Sequence, residues 1–124
     1  MGHEQYAEPR AFAEVLEAFP GLILVLAHLG GGAWSQVLEF ARAYPQANFD
    51  CSEIICWLGS PQAPNEHEIA QLILDIGAER VMMGSDFPWY DIDYTVEMVM
   101  GLPLLSVGEK EAMLGGNAEN ILRL

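Results

Sequence analysis

Basic side chains are scarce in this chain of 124 residues. Five Lys and Arg residues stand against 18 Asp and Glu residues, and the formal net charge at pH 7 is -13. Nucleic-acid backbones and anionic membrane surfaces are bound by clustered positive charge, so we expect neither as a partner. The longest apolar run, residues 21–27, is far shorter than the ~20 residues that cross a bilayer.

Cysteine is also rare. The two cysteines, Cys51 and Cys56, are too few for a disulfide framework, and their spacing differs from that of a zinc knuckle. No basic segment followed by an apolar one, the pattern of a secretory signal, is visible near Met1. With 52% hydrophobic residues, the composition predicts one folded, cytoplasmic domain. Cys51 is expected to be an inert thiol in its core.

Helical and extended patterns alternate along the chain. The 3.6-residue period predicts helices over residues 9–19, 34–44 and 66–77. Continuous apolar runs predict buried strands over residues 22–27, 47–52 and 80–83. Shorter helices are predicted over residues 93–100, 107–114 and 117–124, the second with a capping box between Ser106 and Glu109. Such alternation is typical of an α/β fold with a parallel sheet and right-handed crossovers.

Parallel sheets occur as open doubly wound sheets or as eight-stranded barrels. The glycine run at residues 30–32 lacks the Gly-x-Gly-x-x-Gly spacing of a dinucleotide-binding turn. A dinucleotide-binding fold is therefore disfavoured.

Polar side chains follow each predicted strand. His28 follows the first, Asp50 and Ser52 end the second, and Asp86 follows the third. The carboxyl ends of parallel strands meet at one edge, so these side chains are expected to converge. Imidazole and carboxylate groups bind zinc and similar ions and also serve as general acids and bases. Taken singly, each residue is better explained as structural: a histidine after a strand is usually a hydrogen-bonded structural residue, and an aspartate before a proline is often a turn residue.

Four segments form an ordered set: VLAHLGG at residues 25–31, NFDCS at 48–52, RVMMGSDFP at 80–88 and GGNAENIL at 115–122. Together they resemble the carboxyl-terminal part of the amidohydrolase-related family (amidohydrolase family 2), whose members are metal-dependent barrel enzymes. In that family His-x-Gly-Gly ends barrel strand six and Gly-Ser-Asp-x-Pro ends strand eight. The resemblance covers nearly the whole chain. It implies a partial (β/α)8 TIM barrel, with residues 1–124 as a carboxyl-terminal segment.

Carried onto this sequence, the resemblance implies that His28 binds a metal or polarises substrate or water. It implies that Asp86 touches the metal-bound water and shuttles its proton. Both are therefore candidate catalytic residues and candidate metal ligands, and the implied cofactor is a divalent metal, with zinc the expected ion. Asp50 and Ser52 match a strand-seven motif read as mostly structural. Asn117 is expected to cap the final helix.

Aromatic residues lie in the predicted loops at the same rim. Trp57, Trp89 and Tyr90 are expected either to shape an aromatic substrate pocket or to cover the barrel mouth or an interface. His67 and Glu68 begin a predicted helix and are expected on its solvated face.

A full barrel takes ~250 residues, and this chain has 124. The family's amino-terminal metal motif and a strand-four ligand are absent. Met1-Gly2 fits the end of a strand-five His-x-Gly motif, which leaves His3 as a loop residue. Two candidate ligands fall short of the three that zinc sites need, which predicts weak or absent metal binding. Three strands also leave two unpaired edges, which predicts a homo-oligomer or association with a missing half-barrel.

Three functions compete at this point. The leading hypothesis is a metal-dependent hydrolase that acts on a small carboxylated or cyclic substrate. The alternative is a carbon-carbon lyase (decarboxylase) of the same family, because the two branches share the site and differ in pocket loops. The third is a non-catalytic, truncated α/β module that acts by association.

Overall fold

The computed structural model describes residues 8–124, so the expectations for Met1, Gly2 and His3 lie outside the described residues. The described part contains three strands: β1 (Leu24–Leu26), β2 (Ala47–Asp50) and β3 (Val81–Met82). Its α-helices are α1 (Ala13–Ala18), α2 (Val37–Ala43), α3 (Glu66–Ile76), α4 (Ile92–Met100), α5 (Val107–Glu111) and α6 (Asn117–Leu122).

The strands form one parallel sheet in the order β1-β2-β3. Leu26 of β1 pairs with Phe49 of β2, and Phe49 pairs in turn with Val81 of β3. Helix α2 connects β1 to β2, and α3 connects β2 to β3. The predicted α/β class, with three parallel strands alternating with helices, is confirmed.

The strands are shorter than the apolar runs predict, because the chain leaves the sheet early at its carboxyl edge. β1 gives way to His28 and Leu29, whose backbones are left-handed with φ of 60° and 45°. Beyond β3, the amide of Met83 donates to the carbonyl of Met113 at 2.8 Å, on the side of β3 that faces away from β2. The predicted limits at residues 22–27, 47–52 and 80–83 are therefore too wide.

Several predicted helices contain tighter or wider turns than expected. Pro9–Phe12 is a 3₁₀ turn ahead of α1, and the chain after the glycine run reaches α-helical geometry only at Val37. Residues Ala112–Gly116 form a π-helical turn that joins α5 to α6, so the predicted break between these helices is absent. The predicted capping box is confirmed, with Ser106 and Glu109 bonding each other's backbone amides at 3.0 and 3.1 Å.

The core lies between the sheet and the helices. Fully buried side chains come from every layer: Leu16, Leu26, Val37, Phe49, Ile69, Ile73, Val81, Val99 and Met113. The apolar face predicted for the first helix is only partly covered, since Phe19 is 63% exposed while Leu16 is 1% exposed. Phe19 is thus left largely uncovered by the described residues at the carboxyl end of α1.

Arg80 links the amino ends of β2 and β3 to the helices α2 and α3. Its guanidinium donates to the carbonyls of Ala41, Tyr44, Ala47 and Ile76 at 2.9–3.3 Å. The last carbonyls of a helix have no partner within the helix. One cation therefore satisfies the carboxyl ends of α2 and α3 together with the start of β2.

Within residues 8–124, no helix is long and apolar enough to cross a membrane. The sheet is open, and β1 and β3 are its two edges.

Candidate metal site

His28 is positioned by the turn that ends β1. Gly30 has φ of 79°, and a Cβ there would lie 2.6 Å from Cγ2 of Val37, so only glycine fits this tight return toward α2. The backbone amide of His28 donates to Oδ1 of Asp50 at 3.0 Å, which ties the end of β1 to the end of β2. The half-buried imidazole therefore stands at the carboxyl edge of the sheet.

Asp86 reaches the same edge from β3. A Cβ on Gly84 would lie 3.2 Å from Cβ of Ser52, so the glycine of the Gly-Ser-Asp motif lets β3 end close beside β2. Asp86 has φ of 56°, and its carbonyl accepts from the amide of Trp89 at 2.9 Å, which closes the following turn.

Glu53 is a third ligand-type residue, which the sequence patterns above did not single out. The amide of Ile54 donates to the carbonyl of Ser52 at 2.6 Å, and Glu53 between them has φ 59° and ψ -63°. This is the rare γ-turn of positive φ. It brings Oε2 of Glu53 to 3.4 Å from Nε2 of His28. No periodicity marks Glu53, and its one signal is its place three residues after β2.

The three residues form what we call the rim cluster: His28, Glu53 and Asp86. One ligand-type atom from each lies within 4.8 Å of the other two, and all three side chains are half-buried. All three backbones have positive φ, at 60°, 59° and 56°. Positive φ is uncommon outside glycine and concentrates at functional sites. The two edge strands thus bring His28 and Asp86 together, as their places after parallel strands predict.

The far side of the imidazole is held by β2 and its turn. Nδ1 of His28 lies 2.9 Å from Oγ of Ser52 and 3.1 Å from the Ser52 carbonyl oxygen. Ser52 in turn donates its hydroxyl to Oδ1 of Asp50. Asp50 and Ser52 thus contact His28 directly, Asp50 at its backbone amide and Ser52 at its imidazole.

The aromatic residues of the rim divide into two groups. Trp89 and Tyr90 line an open cleft of about 390 Å³ together with Glu53 and Asp86. Partial burial and then the nearby Glu53 carboxylate raise the pKa of Tyr90. Trp57 instead packs against the core, and its indole N–H is buried with no partner among residues 8–124.

Three further residues lie away from the rim cluster. Asn117 does not cap α6, which corrects the expectation: its amide donates to the carbonyls of Ala78 and Val81 at 2.7 and 2.8 Å. The π-helical turn before it directs the side chain inward. His67 is exposed, as expected. Cys51 is fully buried, and desolvation raises the pKa of its thiol to about 12, consistent with an inert core residue.

The rim cluster has the donors and spacing that a divalent ion needs. Ligand atoms on one zinc ion, each about 2.0–2.2 Å from it, lie about 3–4 Å apart, so atoms within 4.8 Å need only small side-chain rotations. One imidazole and two carboxylates suit zinc or manganese. Glu53 adds a third candidate ligand to the two predicted from the sequence, and three is the number that catalytic zinc sites use.

The fold and the rim cluster together define a class: a partial TIM barrel with ligand-type side chains at the carboxyl ends of its strands. The sequence model of the family described as Amidohydrolase matches residues 3–124. The chain belongs to this amidohydrolase family. No curated protein matches the sequence.

Solved structures of similar fold include TIM-barrel proteins and metal-containing relatives. A dihydroxybenzoic acid decarboxylase from Polaromonas sp. JS666, with bound manganese and 2-nitroresorcinol, matches with TM-score 0.72 and 18% identity over 98% of this chain and 40% of its own. An uncharacterised TIM-barrel protein from Bordetella bronchiseptica matches with TM-score 0.79 and 23% identity over 96% of this chain and 40% of its own.

An amidohydrolase from Burkholderia multivorans, with bound zinc, matches with TM-score 0.73 and 22% identity over 98% of this chain and 50% of its own. The chain therefore spans 40% to 50% of the length of these three structures.

Proposed function

We propose that this chain carries part of the active site of a divalent-metal-dependent hydrolase acting on a small carboxylated or cyclic substrate. The observation that supports this most directly is the rim cluster, in which an imidazole and two carboxylates lie within 4.8 Å of one another. In parallel α/β barrels the chemistry takes place at this end of the strands.

His28, Glu53 and Asp86 are the residues proposed to hold the ion, with zinc as the preferred candidate and manganese as the second. A divalent ion bound there supplies a Lewis acid and lowers the pKa of a water that it binds. His28 offers Nε2, which faces Glu53 at 3.4 Å. The Asp86 carboxylate is the group proposed to take up and release the proton during the reaction, since it lies in the open cleft that a substrate can enter.

A decarboxylase is the second candidate, and a specific observation favours it. Trp89 and Tyr90 line the cleft beside Glu53 and Asp86, and flat aromatic faces suit an aromatic carboxylate. Three of the similar structures are named as decarboxylases of dihydroxybenzoates. The third candidate, a non-catalytic module acting by association, predicts no retained ion and no turnover.

For partners, we propose a small-molecule substrate together with either a second copy of this chain or the half of the barrel that the chain lacks. In the sheet formed by residues 8–124, β1 and β3 are unpaired edges, and a closed barrel pairs both.

Metal content is the first test. The purified chain is dialysed against buffered Zn²⁺ or Mn²⁺, and the bound ion is measured by elemental analysis. We expect one ion per chain, and a loss of affinity of at least about tenfold in Glu53→Gln and in Asp86→Asn. Glu39→Gln and Asp75→Asn change exposed carboxylates elsewhere and serve as matched controls. A wild-type chain that holds no ion contradicts the proposal, and so does a loss of affinity in the two controls as large as that in Glu53→Gln and Asp86→Asn.

Turnover decides between the two reactions. The metal-loaded chain is incubated with lactones and with aromatic carboxylates, and acid release is measured separately from carbon dioxide release. Acid release from lactones supports the hydrolase, and carbon dioxide release from aromatic carboxylates supports the decarboxylase. A chain that retains no ion and forms neither product supports the third candidate.

A further inference from the structure

The contacts behind His28 determine which ring nitrogen carries the proton. Nδ1 lies 3.1 Å from the carbonyl oxygen of Ser52 and 2.9 Å from its Oγ. A carbonyl oxygen can only accept a hydrogen bond, so Nδ1 is the donor. In the neutral ring the lone pair is then on Nε2, which lies 3.4 Å from Oε2 of Glu53 inside the rim cluster.

Asp50 fixes the direction of the second contact. Its Oδ1 accepts from the backbone amides of His28 and Ser52, each at 3.0 Å, and from the hydroxyl of Ser52. An ionised carboxylate can only accept, so the hydroxyl proton of Ser52 goes to Asp50. The hydroxyl oxygen is left with lone pairs toward Nδ1–H. Ser52 is 5% exposed, so water competes little for its hydroxyl.

We propose that Asp50, acting through Ser52, is the positioning residue that holds His28 in the tautomer with a free Nε2 lone pair directed into the rim cluster. A free imidazole in water favours the opposite tautomer, with the proton on Nε2, so the protein must supply this preference. Metal-binding histidines commonly donate the other ring N–H to a carbonyl or carboxylate, which sets both tautomer and ring orientation. The inference rests on the proposed function only for the use of the lone pair.

The tautomer is measured by two-bond ¹H–¹⁵N correlation NMR on the metal-free chain labelled at histidine nitrogen. The pH is set about two units above the ordinary histidine pKa of about 6.5, so that the ring is neutral. His28 is identified by the signals that disappear in His28→Gln. We expect a pyrrole-type shift at Nδ1 and a pyridine-type shift at Nε2.

The variants separate positioning from general stability. Asp50→Ala removes the acceptor, and we expect the His28 shifts to move toward the opposite tautomer. Asp50→Asn keeps an oxygen that can accept the same three bonds, and we expect it to retain the wild-type pattern. Asp75→Ala, an exposed carboxylate that accepts from Gln71 on α3, is the control and leaves the pattern unchanged.

Two results overturn the inference: a wild-type His28 with its proton on Nε2, or a folded Asp50→Ala with the wild-type pattern. If Asp50→Ala does not fold, Ser52→Ala is decisive. Its carbonyl still accepts, so a partial shift is expected, and an unchanged pattern removes the role of the Asp50–Ser52 contact.

Metal affinity distinguishes this inference from the proposed function. In the dialysis experiment we expect Asp50→Ala to weaken Zn²⁺ binding by about 10- to 100-fold, with Asp50→Asn close to wild type. A wild-type chain with the expected tautomer but no affinity for Zn²⁺ or Mn²⁺ refutes the proposed function and leaves the positioning role standing. A chain that binds the ion with the other tautomer refutes the positioning role alone.

Discussion

Glu53 adopts a backbone conformation that is costly for any residue with a side chain. Its φ of 59° and ψ of -63° belong to a region where a non-glycine residue costs of order 1–3 kcal/mol. A residue without an evident packing reason for such strain is a candidate for function, and the Glu53 carboxylate lies in the rim cluster.

The first prediction is that Glu53→Gly stabilises the fold while weakening the site. Glycine adopts positive φ freely, so the free energy of unfolding in urea should rise by about 1 kcal/mol relative to Glu53→Ala. Zn²⁺ affinity should fall equally in both variants, because both lack the carboxylate. The comparison with alanine holds the loss of the side chain constant. An alanine variant as stable as the glycine variant would show that the turn is not strained.

The second prediction concerns Asn117, whose amide bonds two carbonyls inside the fold. Asn117→Ala leaves the carbonyls of Ala78 and Val81 without this donor in a buried setting. We expect a loss of about 1–3 kcal/mol in the free energy of unfolding, measured in urea. Asn120→Ala, three residues further along α6 and exposed, should change it by less than about 0.5 kcal/mol. Equal losses in the two variants would contradict the role assigned to Asn117.

At the scale of elements, the order of strands and helices is readable from the sequence because apolar periodicity reports which face is buried. The amphipathic α3 is an example: its buried residues, Ile69, Leu72, Ile73 and Ile76, recur at helical spacing. The ends of elements are less readable. After β3, the amide of Met83 bonds the carbonyl of Met113, thirty residues away, and no local pattern records such a partner.

The candidate site shows the same division. His28 and Asp86 lie in glycine-containing motifs directly after apolar runs, so the sequence pattern predicts both as site residues. Glu53 enters the rim cluster through a single γ-turn, and the inward direction of Asn117 depends on a π-helical turn. Both depend on backbone angles at one or two residues, which composition and periodicity do not encode.

The third prediction concerns the fastening of α2 and α3 by Arg80. Arg80→Met keeps the length and apolar stem of the side chain but loses every donor to the four carbonyls. Hydrogen bonds from a charged donor contribute about 1.5–3 kcal/mol, so we expect the free energy of unfolding to fall by about that amount. Arg42→Met, on the exposed face of α2, is the matched control. A similar loss in both variants would point to charge alone.

At the scale of the whole molecule, apolar side chains at and before the edge strand β1 are exposed, and we call this surface the open side. Four apolar side chains at or before this edge are 38% to 63% exposed: Val15, Phe19, Leu22 and Ile23. Burial of apolar surface contributes about 25 cal/mol per Å², and exposed hydrophobic edge strands tend to pair with other chains. The charge of -13 opposes association only weakly, because surface charges are screened beyond about 8 Å at physiological salt.

The fourth prediction is that the isolated chain is not a stable monomer. We expect sedimentation velocity at micromolar concentration to show a dimer or larger species rather than a single species near 13.7 kDa. Ile23→Lys places a charge at the open side and should shift the distribution toward monomer. Val107→Lys changes an apolar residue on α5 that is exposed to a greater degree, 63% against 42% for Ile23, and should leave the distribution unchanged. A sharp wild-type monomer with cooperative unfolding would contradict the prediction.

The Arg80 contacts lie at the amino ends of β2 and β3, whereas the rim cluster lies beyond the carboxyl ends of the strands. One end anchors helices to the sheet, and the other presents loops built from turns and half-buried polar groups. A mutation in a rim loop therefore leaves the anchoring contacts intact, and the chain can sample new loop sequences without first losing its fold. In natural selection and in laboratory evolution alike, mutations in the loops after β2 and β3 can therefore change specificity with the smallest loss of stability.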